Sequence, residues 1–128
     1  IKPTPVVQIT NLNKIVDLFE YFESFNREHG SLIVEIMPII LENPYYLNLE
    51  HLPTEFKMKC WSDLEHWLEN NCTYQPKAFH ARMQALKGKC FSTGDTSHLK
   101  TFLEYNTIFD QHRNHWLKDI NPELYNIL

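Results

Sequence analysis

Apolar spacing along the chain opens with Val6-Val7-Gln8-Ile9, a short β-branched run behind Pro5 that predicts a buried strand. Thr10-Asn11-Leu12-Asn13 follows as a turn supplying helix-capping side chains. From Lys14 to about Arg27, Ile15, Leu18, Phe19, Phe22 and Phe25 or Asn26 recur at three- and four-residue steps, while Asp17, Glu20, Glu23 and Arg27 fill the other face. That pattern predicts an amphipathic helix. His29-Gly30 ends it as a glycine C-cap, and Ser31 to Ile36 reads as a second, nearly continuous apolar strand. Strand, helix and strand in this order make a βαβ unit, which implies parallel strands joined by a right-handed crossover.

The pattern changes after the irregular stretch Leu41 to Leu52. Pro53 suits a first helical position, and Phe56, Cys60, Trp61, Leu64, Trp67 and Leu68 trace an apolar face as far as Asn70-Asn71. Pro76 opens a shorter helix through Phe79, Met83 and Leu86 that should stop near Gly88. Gly94-Asp95-Thr96 introduces the longest helix, with Leu99, Phe102, Leu103, Asn106, Phe109 or Asp110, Arg113 and Trp116 on one side. Asn121-Pro122-Glu123 caps a final turn through Leu124 and Leu128. The expected organisation is one structural unit in two parts: residues 1–52, a βαβ segment with its following loop, and residues 53–128, a helical cap. A third short strand is expected near Tyr45 to Leu49. Two parallel strands leave unpaired edges and apolar faces, so further strands are expected upstream.

Composition narrows the classes. With 128 residues and 43% hydrophobic content the chain can bury a single core. The net charge of -4 is spread along the helices, giving neither a nucleic-acid footprint nor a membrane-surface patch. The longest apolar run, Leu32 to Leu41, is broken by Glu35 and Pro38 and falls short of a membrane span. Ile1-Lys2-Pro3-Thr4-Pro5 resembles a linker and lacks the features of a signal peptide. Cys60, Cys72 and Cys90 are odd in number and widely spaced, which argues against a disulfide framework and for a reducing cytoplasm.

The same spacing argues against zinc or iron–sulfur ligation, which brings cysteines in close pairs. His112 and His115 stand three apart on an expected helix, where they read either as a metal pair or as solvated surface. No GxSxG or Gly-rich phosphate loop occurs. Positional chemistry remains, because ligands of open α/β sheets collect beyond the carboxyl ends of parallel strands. Those ends are Thr10, Asn11 and Asn13, then Met37 through Tyr46. Asn11 reads as a helix N-cap or as an amide directed at a ligand. Glu35, an acid inside an apolar run, faces a polar interior or pairs with a neighbouring cation. The aromatic loop Glu42-Asn43-Pro44-Tyr45-Tyr46-Leu47 either covers a site or packs on the helices that follow.

Three segments resemble the C-terminal portion of radical S-adenosylmethionine proteins of the twitch or SPASM-like type. They are Pro5 to Asn13 running into Ile15 to Phe22, then Asn43 to Lys57, and last Phe102 to Asn114 followed by Ile120 to Tyr125. The resemblance implies an α/β fold, a fragment of a partial (β/α) barrel with two or three parallel strands and a mainly helical C-terminal part. It also implies a radical enzyme using S-adenosylmethionine and a four-iron, four-sulfur cluster held by an upstream CxxxCxxC. That motif is absent from these residues. On this reading the chain borders the cofactor and substrate cavity through Thr10, Asn11, Asn13 and Glu35, binds neither cofactor nor cluster alone, and has the upstream part of its own chain as partner, with no nucleic acid and no membrane. The alternative is a non-catalytic α/β protein-interaction module presenting Trp61, Trp67 and Trp116 to a partner.

Overall fold

The computed structural model describes all residues from Ile1 to Leu128. Two very short parallel strands, β1 (Val6–Val7) and β2 (Ile39–Ile40), accompany six helices: α1 (Ile15–His29), α2 (Thr54–Asn70), α3 (Lys77–Phe91), α4 (His98–Arg113), α5 (Leu117–Ile120) and α6 (Pro122–Ile127). Single 3-10 turns occupy Leu12–Lys14, Tyr45–Leu47 and Leu49–His51. The chain is therefore a mainly helical small domain, and the expected partial-barrel fragment is corrected.

Backbone accounting gives the physical reason. The strand order β1–α1–β2 exists, in the register Val6 to Ile39 and Val7 to Ile40. The pairing extends beyond those residues as a one-sided ladder, in which the N–H groups of Glu35, Met37, Ile39 and Leu41 donate to the carbonyls of Ile1, Pro3, Pro5 and Val7. Pro3 and Pro5 have no N–H with which to return a bond, so regular strand survives only after them. The second strand thus lies later than Ser31 to Ile36. The expected third strand at Tyr45 to Leu49 is instead two 3-10 turns, with the Asn48 side chain accepting from the Glu50 N–H.

The ladder has no further strands on either side because carboxamide side chains close both edges. On β1, the Asn11 Oδ1 accepts from the Gln8 N–H at 2.9 Å and its Nδ2 donates to the Val6 carbonyl at 2.7 Å. On the other edge, Asn26 Oδ1 accepts from the N–H groups of Ile33 and Val34, each at 2.8 Å. Gln75 Oε1 accepts from the Ile36 N–H at 2.9 Å. The Val34 carbonyl takes bonds from both amides, and Arg82 donates to the Pro38 carbonyl. The Val34 N–H and carbonyl, the Ile36 N–H and the Pro38 carbonyl, which a neighbouring strand might have engaged, are thereby occupied by side chains.

Behind this edge sits Glu23, fully buried on α1. Its carboxylate accepts four hydrogen bonds, from Asn26, Gln75 and the backbone N–H groups of Thr73 and Tyr74. Four charge-assisted bonds replace the water that burial removes, which is how a carboxylate without a cationic partner is tolerated there.

The core lies between the inner face of the ladder (Val7, Ile9, Val34, Ile36) and the helices. Phe19 of α1 meets Trp67 of α2 and Phe79 of α3 at ring separations of 5.9 and 5.5 Å. Burying each such ring contributes roughly 1.5–3 kcal/mol. Trp61 and Trp67, the tryptophans expected at a partner surface, are buried in this core, and their indole N–H groups donate to Glu65 and Glu20. Gly30 ends α1 as expected, in the left-handed conformation with φ 66°. α3 runs through Gly88 to Phe91, since Gly88 does not turn left-handed as Gly30 does and so does not end the helix. α4 stops at Arg113 because Asn114 turns left-handed with φ 56°, so Trp116 is not part of that helix.

Candidate functional site

A cavity of about 390 Å³ forms a groove beside α4, beyond the carboxyl end of β1. Its floor is Phe102 and Leu117, its walls are Tyr46, Tyr105, Phe109 and Ile120, and Thr10, Asn106 and Arg113 add polar groups. Two sequence features build it. The loop carrying Tyr46 folds back over α4 so that Tyr46 stacks on Tyr105 with ring centres 4.8 Å apart and planes at 21°. Opposite, the turn after α4 brings α5 against the groove.

Asp110 holds that turn. It is nearly fully buried and accepts from the Leu117 N–H, from Asn106 Nδ2 and from Arg113 Nη2, each at 2.9 Å. The Leu117 N–H is an orphan donor at the start of α5, so Asp110 works as its cap from a neighbouring helix. Arg113 is partly neutralised by this contact and lies over Phe109, 5.9 Å from the ring centre.

Asn121 holds the opposite end. Buried between α5 and α6, it forms a reciprocal amide pair with Asn13, both bonds 2.9 Å, donates to the Thr10 carbonyl and caps α6 through the Leu124 N–H. Residues 10–13 are therefore tied directly to the C-terminal helices across more than one hundred positions of sequence.

These contacts assign the four residues read from sequence. Thr10 lines the groove. Asn11 is neither of its expected alternatives: it makes no bond to the start of α1, and its amide closes the β1 edge. Asn13 is committed to Asn121 and Glu123. Glu35 lies at the amino end of the ladder, paired with Lys2 at 3.4 Å, the cation-pairing option of the two foreseen for it. Of the four, only Thr10 lines the groove, so they do not converge on one cavity.

His112 and His115 are both exposed, and α4 ends between them, so they do not share a helical face. Burial pushes the thiols of Cys60 and Cys72 up to about 12 and that of Cys90 to about 11, leaving none as a ready nucleophile. Sequence reading missed Tyr105, Asp110 and Asn121 as builders of the site. Asn106 and Asp110, four apart on a helix face otherwise apolar, were the signal for the groove's polar anchor. No helix is long and apolar enough to cross a membrane. Compared with protein families, curated proteins and solved structures, the chain matches none.

Proposed function

We propose that this chain is a protein-interaction module that receives an apolar helical segment of a partner protein along α4. One observation carries the reading. Tyr105, Ile108 and Phe109, at the three- and four-residue spacing of a helical stripe, are 47%, 51% and 54% exposed, and Tyr105 and Phe109 line the groove while Ile108 extends the stripe beside it. Such a stripe is ordinarily buried against another helix, and α4 buries only Leu99, Phe102 and Asp110 in its own domain. A partner helix laying apolar side chains between Phe109 and Ile120 fits the helix-in-groove mode of recognition. Trp116, the third tryptophan expected at a partner surface, stands partly exposed just beyond α4.

The radical S-adenosylmethionine reading took a partial-barrel fragment as its fold, and a mainly helical domain stands in its place. The three free thiols accord with a reducing, cytoplasmic setting, which we include in the proposal.

A photo-crosslinking residue at Ile108, compared with one at Glu69 in α2, tests the function. We expect crosslinks at 108 that map to a single apolar segment of one partner and disappear when Phe109→Asp is added to a chain whose circular dichroism is unchanged. Yields at 108 no higher than at 69, or a product consisting only of two copies of this chain, would overturn the assignment.

A further inference from the structure

We infer that His51 is a pH-operated latch that fastens the Tyr45–His51 segment to the start of α4, and that acidification releases it and opens the groove at Tyr46. The release itself stands on geometry alone; its effect on partner binding rests on the function proposed above.

His51 Nδ1 accepts the Asp95 N–H at 3.0 Å. An imidazole nitrogen can accept only when it is unprotonated, so adding a proton there turns an attraction into two opposed N–H groups. His98, the first residue of α4, places its ring edge-on to that of His51, 4.4 Å between centres, so protonating both brings two cations together. Tyr45 closes over His98 at 4.6 Å. From Tyr45 the rings continue to Tyr46 and then to Tyr105 on the groove wall. One aromatic row thus joins the histidine pair to the groove.

The surrounding charges fix the direction of the response. Asp95 faces both rings, its carboxylate 3.8 Å from His98, and favours the charged form of His51. Glu50, next in sequence, does the same for His51, but its carboxylate is shared with Lys89 of α3. Lys57 of α2 binds the Glu50 carbonyl from beneath at 2.8 Å and the Ser92 carbonyl at 2.6 Å. Burial, followed by the neighbouring His98, outweighs the acids and holds His51 below its ordinary value of 6.5. A histidine depressed in the docked state takes up a proton on release. Docking is therefore complete above about pH 6.5 and weakens as pH falls through that value towards the depressed one. With one proton coupled, the opening constant grows by up to about tenfold per pH unit across that window.

The experiment follows the Asp95 amide and the Tyr46 and Tyr105 rings by NMR from pH 7.5 to 5.0, in the unmodified chain and in His51→Asn, whose side-chain oxygen is a non-titrating acceptor. In the unmodified chain we expect the Asp95 amide to lose exchange protection and the Tyr46–Tyr105 contact to fade together, with a midpoint below 6.5. In His51→Asn both should stay flat. Identical titration of the two chains, or a Tyr46–Tyr105 contact that persists at pH 5.0, would overturn the latch. No partner is present in this measurement, so it succeeds or fails independently of the interaction test.

Discussion

Asn26→Ala removes the amide that closes the outer edge of the ladder, and its cost can be worked bond by bond. Four hydrogen bonds are lost, to the N–H groups of Ile33 and Val34, the Val34 carbonyl and Glu23. The carbonyl and the carboxylate retain Gln75, and the Ile33 N–H lies near enough to the surface to find water. The Val34 N–H is left buried without a partner, at about 1–3 kcal/mol, and the weakened hold on the Glu23 carboxylate adds about 1–2 kcal/mol. The expected loss is roughly 2–5 kcal/mol, a large part of the stability of an ordinary domain. For a chain of this size that lowers the melting temperature by roughly 7–20 °C. Urea unfolding followed by circular dichroism measures it, with Asn70→Ala, an exposed amide on α2, as control. A loss below about 1 kcal/mol would refute the claim that side-chain amides stand in for a third strand.

Asn121→Ala should cost roughly 2–4 kcal/mol, because it takes the donor from the Asn13 side-chain oxygen and uncaps α6, and amide exchange should speed up selectively in α5 and α6. Gly94→Ala places a Cβ 2.2 Å from the Glu50 carbonyl oxygen, a backbone atom that cannot step aside, so the 92–97 loop should lift off and the Asp95 amide become exchangeable even at pH 7.5. Phe109→Asp, on the exposed stripe, should shift stability by no more than about 0.5 kcal/mol. With their pKa values raised to about 11–12, Cys60, Cys72 and Cys90 should react with a thiol reagent at pH 8 only once denaturant is added, which a colorimetric thiol titration reads directly.

Helices were the legible part of the sequence. The apolar spacing located α1 and α2 to within a residue or two, because their buried faces repeat at the helical period and Gly30 marks a left-handed end. The sheet was misread for a reason that periodicity does not register. An apolar run such as Leu32 to Ile36 signals burial, but whether its backbone pairs with a strand or with side chains depends on Asn26 and Gln75, which the run itself does not contain. Glu23 and Asn26 looked like ordinary members of a helix, one polar and one borderline, and proved to be the most buried polar pair in the molecule. For the site, the expectation that ligand space lies past the strand ends led to Thr10 and the Tyr45–Tyr46 loop. It could not foresee that Asn11 and Asn13 would spend their amides within the fold, since the partner of Asn13 lies 108 positions away.

Closing the ladder with amides also couples motions that a larger sheet would keep separate. In a multi-stranded sheet, a central strand keeps its backbone bonds when a covering helix swings out. Here the N–H groups of Val34 and Ile36 are held by side chains from α1 and from the segment joining α2 to α3, so withdrawing the α2–α3 hairpin strips bonds from the ladder in the same event. The molecule should accordingly open as one cooperative unit, with Val34, Ile36 and the inner residues of α2 and α3 sharing a single exchange free energy.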